Sequence, residues 1–343
     1  MTVSVTKKAL NVREKLAELD KPTGIAGEAM LRAETPQEQF NLIGAGRRNW
    51  VINGDFQVSQ RGDYTTAVAF NNGDYGLDRW KGSRSGVTAT MQQKTTDQPN
   101  GYVGKSLRVE ATSSAIGYIG GIQLIEDYDR LKLREITVSA YVRSSGVDGH
   151  VYLYDGGSYI GKGTMVTQGL GWQKVKITGV VKSTATALGI YIVTTTSADT
   201  SQSHTSGDWI EMTQIQLELG KVATPFEHRS YGEELALAQR FFQKGTYYDR
   251  PLICHSSTSL YGGFDLPVEM REDPSPTYYA SFGSYLYLNS VSKGANVSTT
   301  AVAFTGNADY KTYSHVRFYI SGSGFTVGQV GICDGRWSID CEL

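Results

Sequence analysis

Cysteine, proline and charge are all scarce in this sequence, and each scarcity removes a class of protein. Three cysteines (Cys254, Cys333 and Cys341) in 343 residues form no C-x-x-C pair. They supply neither a disulfide framework nor a zinc site, and they read as buried or idle thiols. The five histidines, at 150, 204, 228, 255 and 315, are isolated, and no serine sits in a Gly-x-Ser-x-Gly elbow. Nucleophilic catalysis therefore finds no support. No apolar run approaches the roughly 18 residues that span a bilayer. Residues 1–8 lack the apolar core of a signal peptide, so synthesis in the cytosol without membrane insertion is expected. Charged residues make up 20%, and 33 Lys plus Arg against 34 Asp plus Glu leave a net charge of -1. That balance offers no field for phosphate backbones and disfavours nucleic acid as a partner. No period of 20–50 residues repeats, which argues against a propeller or solenoid.

Glycine and tyrosine are what the chain has in excess. Its 39 glycines exceed the usual share of about 7%, and 21 tyrosines accompany them, the mix of turn-rich β structure. Residues 1–48 differ, holding a single aromatic residue, Phe40. There Val5, Ala9, Val12, Leu16 and Leu19 follow the a/d spacing that closes a seam between parallel helices, and a homotrimer is expected. Two heptads are too short to stand alone, so the segment needs partner copies or a docking surface. Lys21-Pro22-Thr23-Gly24 breaks the helix, and Thr35-Pro36-Gln37-Glu38 starts another with a capping box.

From Trp50 onward, short alternating runs such as Ile136-Thr137-Val138-Ser139-Ala140-Tyr141-Val142 recur between Gly, Ser and Asp turns. The expected fold is mainly β: two antiparallel, jelly-roll-like sandwiches preceded by a short helical segment. The expected boundaries are 1–48 for the helical segment, 49–230 for the first sandwich, 231–243 for a helical connector and 244–343 for a distal sandwich. Trp50, Trp80, Trp172 and Trp209 read as core.

Several segments are recognisable. Asn49-Trp50-Val51-Ile52-Asn53-Gly54-Asp55-Phe56-Gln57-Val58-Ser59-Gln60-Arg61-Gly62, followed by Tyr75-Gly76-Leu77-Asp78-Arg79-Trp80, resembles the opening of a module in bacteriophage tail fibres. Trp209-Ile210-Glu211, Ile215-Gln216-Leu217-Glu218-Leu219-Gly220 and Ala223-Thr224-Pro225-Phe226-Glu227-His228-Arg229 resemble its close. Residues 266–277 are similar to a segment near fibre tips of short-tailed phages, and residues 1–48 resemble virion-attachment segments. The resemblance implies a trimeric, non-catalytic fibre in the virion tail, assembled in the host cytoplasm. It would be held to other tail proteins by residues 1–48 and bind host-surface glycan or lipopolysaccharide through its β domains. The alternatives are a structural adaptor or collar-type component, and a glycan depolymerase. Asn-Gly-Asp-Phe also resembles the opening of jelly-roll carbohydrate-binding modules, which often carry a structural calcium between their first and last strands. Asp55, Glu211 and Glu218 are the oxygen ligands available there, although no loop shows an ordered acidic ladder.

For glycan contact, Tyr152 and Tyr154 share one face of a strand, and with Tyr159 and Asp155 they form either a sugar platform or part of the core. Ten of the 21 tyrosines fall in residues 244–343, where Tyr278, Tyr279, Tyr310 and Tyr313 lie in loops and suit receptor contact. Arg61-Gly62-Asp63 spells an adhesion tripeptide but reads first as a turn. Glu126, Asp127 and Asp129, the densest acidic cluster, read as a solvated loop rather than a catalytic pair.

Overall fold

Alternation of apolar and polar residues produces short strands throughout the described part of the chain. The computed structural model describes residues 48–195, 201–256, 259–272, 287–288, 315–321 and 330–342. The seam residues Val5, Ala9, Val12, Leu16 and Leu19 lie outside the described residues, as do Tyr278, Tyr279, Tyr310 and Tyr313.

Among the described residues twelve strands precede the first α-helix: β1 (Val68–Ala69), β2 (Lys81–Ser85), β3 (Ala89–Lys94), β4 (Ser106–Ala111), β5 (Ala115–Leu124), β6 (Glu135–Ser145), β7 (Gly149–Tyr154), β8 (Tyr159–Val166), β9 (Gln173–Val180), β10 (Gly189–Val193), β11 (Gln202–His204) and β12 (Trp209–Leu219). They form two antiparallel sheets. One has the order β1-β3-β4-β12-β6-β9. The other runs β2-β5-β10-β7-β8, with β11 beside the start of β5. The sheets close on a common core that includes Leu107, Val138, Val142, Val151, Leu153, Ile190, Ile192, Ile210 and Leu217. This is a jelly-roll-like sandwich in which the last strand enters the middle of the first sheet.

That last strand carries a phase change written into its sequence. Ile210 and Met212 face the core, and so do Ile215 and Leu217, although the two pairs are out of step for a strict two-residue period. A bulge between Thr213 and Gln216, with Gln214 at a φ of 50°, absorbs the extra residue and returns the apolar side chains inward.

Helix α1 (Tyr231–Gln239) follows, opened by a capping box in which Ser230 and Glu233 exchange hydrogen bonds. Beyond it β13 (Phe242–Ser256), β14 (Ser259–Asp265), β15 (Tyr287–Leu288), β16 (His315–Ser321) and β17 (Val330–Asp340) pair antiparallel in the order β15-β17-β13-β14-β16. Among the described residues no helix is long and apolar enough to cross a membrane.

The recognisable segments are the ties that close this architecture. Asn49 Oδ1 accepts from the backbone N–H groups of Val51 (2.9 Å) and Leu217 (3.1 Å), joining the opening segment to β12. Gly54 accepts from Ile215 N at 2.9 Å, and a Cβ on Gly54 would lie 2.2 Å from the Ile215 carbonyl oxygen, so only glycine permits the approach. Asn53, at a φ of 58°, donates from Nδ2 to the carbonyls of Val58 and Asp78, both at 2.9 Å, and accepts from Trp80 Nε1 at 3.0 Å. Arg229 donates to the carbonyls of Val51 (3.0 Å) and Asn49. Glu234 of α1 accepts from Asn53 N. Burial pushes the Glu234 carboxyl above its ordinary range, with Arg229 opposing. Burial raises Asp78 too, against the donors Gln60 N and Nε2.

Trp80 is fully buried and Trp50 packs against the core from a half-buried position. Trp172 and Trp209 correct the expectation that all four tryptophans are core. Both are half-buried on the outer side of the first sheet, where arginine side chains cover them.

Candidate functional site

The outer face of the second sheet gathers aromatic side chains. In β7, Val151 and Leu153 point into the core, so His150, Tyr152 and Tyr154 point out. Register decides their neighbours: Tyr152 lies directly opposite Tyr191 of β10, and Tyr154 opposite Tyr159 of β8. Tyr191 in turn faces Ile122 of β5, which faces Lys81 of β2. A cross-strand row therefore runs Tyr152, Tyr191, Ile122, Lys81.

The rings pack on one another. Tyr152 and Tyr191 have centroids 4.9 Å apart and planes 11° apart. That separation matches the strand spacing of about 4.8 Å, so the two rings rise side by side and stack. Tyr159 meets Tyr152 edge-on at 5.2 Å and lies tilted against Tyr154 at 5.6 Å, and Tyr154 meets Tyr191 edge-on at 6.1 Å. His150 extends the cluster, 5.5 Å from Tyr152. A Cβ on Gly163 would sit 2.1 Å from His150 Nε2, so glycine there leaves room for the imidazole. Tyr159 is 38% exposed, and Tyr152, Tyr154 and Tyr191 are half-buried. Burial raises the Tyr191 hydroxyl above its ordinary value, which keeps it protonated and able to donate at neutral pH. Upright rings of this kind present edges and hydroxyls above a rigid strand platform.

Asp155 leaves the set of sugar-contacting candidates. It is 2% exposed, and its Oδ1 accepts from Gly157 N (3.1 Å) and Ser158 N (2.7 Å), closing the turn between β7 and β8. Those bonds hold its carboxyl below the usual range although burial pulls the other way. Tyr191 was missed in the sequence. Its signal was the pattern Ile190-Tyr191-Ile192, one aromatic out of phase with two core isoleucines.

The three carboxylates expected for calcium are not brought together. Glu211 is enclosed by Ser106, Arg108 and Arg143, Glu218 accepts from Thr224 N at 3.0 Å, and Asp55 accepts from Tyr102 Oη at 2.8 Å. Two guanidinium groups on Glu211 exclude a cation there by charge alone. Among the described residues no group of three or more His, Cys, Asp or Glu side chains is placed to hold a metal ion. Arg61 of the adhesion tripeptide is ion-paired with Asp340 (2.7 Å) and Glu342 (3.3 Å) and lies 3.9 Å over the Phe242 ring. Glu126 is bound by both Nη atoms of Arg240 at 2.6 Å, while Asp127 and Asp129 make exposed pairs with Arg130 and Lys132.

No protein-family model and no curated protein matches the chain. Among solved structures it is similar to the enzymatically active domain of bacteriophage CBA120 tailspike protein 4, at 13% identity and a TM-score of 0.35, over 50% of this chain and 21% of that one. It is likewise similar to TmCBM61 in complex with beta-1,4-galactotriose (15%, TM-score 0.33, 51% of this chain and 100% of that one). A cyclase from Fischerella sp. TAU in complex with 4-(1H-indol-3-yl)butan-2-one gives 11%, a TM-score of 0.35, and 52% and 100% coverage. This chain thus spans about a fifth of the tailspike domain's length. Likeness at this level leaves function to the residues of the face itself.

Proposed function

We propose that the chain is a non-catalytic, homotrimeric component of a bacteriophage tail fibre, held to other tail proteins by residues 1–48, that binds host cell-surface glycan. The observation that carries the glycan reading is the row of tyrosines standing out from β7, β8 and β10, with Tyr152 stacked on Tyr191 at 4.9 Å. Phenol edges and hydroxyls on a rigid sheet suit the mixed C–H and O–H surface of a sugar, at low entropic cost. The fibre reading rests on the resemblance of residues 49–62, 75–80 and 209–229. Weak contacts gain from repetition, since three copies per fibre raise avidity well beyond one site. A monomer by light scattering of the full chain at micromolar concentration would overturn the trimer.

The same stacking favours one second reading. Rings that already cover one another also suit burial against another virion protein, as in an adaptor or collar. Titration of the full chain with oligosaccharides from the host surface separates the two. Tyr152→Ala and Tyr191→Ala should each weaken binding about tenfold, or about 1.4 kcal/mol, with Tm shifted by only a few degrees. Replacing Tyr278, Tyr279, Tyr310 and Tyr313 by Ser is the comparison: loss there alone assigns contact to the distal region. Unchanged binding in both sets, with folding intact, overturns contact through either tyrosine set, and no binding by the parent chain favours the adaptor.

A further inference from the structure

The first sheet carries a different chemistry on its outer face. Register places Arg108 of β4, Glu211 of β12 and Arg143 of β6 directly opposite one another. Glu211 is fully buried and accepts from Ser106 Oγ at 2.6 Å, Arg108 Nε and Nη2 at 3.0 and 2.8 Å, and Arg143 Nη2 at 3.0 Å. One buried carboxylate thus answers two guanidinium groups. The remaining positive charge is balanced from outside the sheet, because Arg143 Nη1 donates to the carboxylate of Asp97.

The two partners are unequally held. The Arg143 side chain is only 10% exposed and its Nε is buried without a hydrogen-bond partner, whereas the Asp97 side chain is 73% exposed. Asp97 belongs to the connection between β3 and β4 and takes a φ of 57°, a left-handed conformation uncommon outside glycine. Its carbonyl accepts from Trp172 Nε1 at 2.7 Å. The connection is fixed independently by Asn100 Nδ2 on Tyr141 Oη (2.9 Å) and Gln98 Nε2 on Ser106 Oγ (3.0 Å). Two indoles line the arginines: the Arg143 guanidinium carbon is 4.5 Å from the Trp172 ring centre and 5.4 Å from that of Trp209, and the Arg108 carbon is 4.0 Å from Trp209.

We propose that the Asp97 carboxylate occupies the seat of a ligand carboxylate, and that this face takes a carboxylate-bearing sugar, its acid group on Arg143 and its ring against Trp172. Glu211 cannot leave, since it is buried under four donors, and it keeps both arginines in place. Asp97 can leave at little cost because it returns to water. An incoming planar carboxylate restores the same charge-assisted hydrogen bonds, and the indole adds an apolar wall for sugar C–H groups. This site lies on the sheet opposite the tyrosine row and stands whether or not that row binds glycan.

Calorimetric titration of the full chain with tetragalacturonate and with its fully methyl-esterified form tests the proposal. The acid should bind and the ester should bind more weakly. Asp97→Ala should tighten the acid about tenfold, as for a seat filled about nine-tenths of the time by its own side chain, and leave the ester unchanged. Arg143→Met should abolish the preference for the acid. Arg143→Lys keeps the charge without the planar fork and should weaken the acid even if the Met variant fails to fold. Equal tightening of acid and ester in Asp97→Ala, no tightening of either, or loss of acid binding in Tyr152→Ala would overturn the site.

Discussion

His204 shows how a single buried group ties stability to pH. It is 2% exposed, with Nε2 2.7 Å from Thr194 Oγ1 and Nδ1 3.1 Å from the Gln202 carbonyl. A carbonyl only accepts, so Nδ1 carries the proton and Nε2 receives the Thr194 hydroxyl, the arrangement of a neutral ring. Burial depresses its pKa below the ordinary value, with the Gln202 bond and Asp208 opposing. The unfolded chain takes up a proton near pH ~6.5 while the folded chain resists it. The contribution of His204 is therefore fully present above that value and is lost as the pH falls toward the folded one. Denaturation midpoints at pH 7.5 and 5.5 should fall less on acidification in His204→Gln than in the parent chain. An equal fall would place the acid sensitivity elsewhere.

Strand β12 sets what an element contributes. Its bulge lets one chain segment present Ile210, Met212, Ile215 and Leu217 to the same core, and the first sheet depends on it because β12 pairs β4 on one side and β6 on the other. Without the bulge, strict alternation through Gln214 would turn Ile215 and Leu217 outward and the buried Gln216 and Glu218 toward the apolar core. Misplacing two core residues and pointing a carboxylate into the apolar core each carry costs of several kcal/mol, comparable to the whole stability of a domain. Gln214→Val, which puts a β-branched residue at a φ of 50°, should therefore lower the urea midpoint of unfolding followed by tryptophan fluorescence. A parental midpoint would mean that the bulge does not depend on the residue at 214. The half-buried tyrosines of β7 carry no such burden, which is why substitution there is expected to touch binding before stability.

Across the whole molecule, the sandwich and the sheet from β13 to β17 belong to one compact unit, residues 49–343. Ion pairs join them beside an apolar cluster of Ile52, Val58, Leu237, Ala238 and Phe241. Arg79 is 1% exposed, donates to Glu342 and to the Leu124 carbonyl at 2.7 Å, and lies 3.6 Å over Phe241. Arg61 reaches both Asp340 and Glu342 from the sandwich side. Removing one partner of a buried pair leaves the other charged and desolvated, at about 3–5 kcal/mol. Glu342→Ala should therefore lower the urea midpoint sharply, while exposed Asp129→Ala, whose pair with Lys132 is solvated, should change it little. Equal effects would show that the junction contributes no more than a surface pair.

Local pattern in the sequence determined the strands, the turns and the shared face of Tyr152 and Tyr154, because alternation and turn chemistry act between neighbours and need no knowledge of the rest of the fold. Asp155-Gly156-Gly157-Ser158 carried a turn signal as well, strong enough to have removed Asp155 from the sugar-contact candidates. Tertiary structure alone decided which side chains meet. Tyr191 joins Tyr152 through a register between strands 39 residues apart in sequence, and Arg108, Glu211 and Arg143 converge from three separate strands. It also decided against the expected calcium set, since the buried Glu211 was claimed by two arginines whose positions no local spacing reveals. Register is fixed by the collective packing of a core built from both sheets, so spacing determines which residues share a face, and only the closed sandwich determines which face is buried and which neighbours each residue meets.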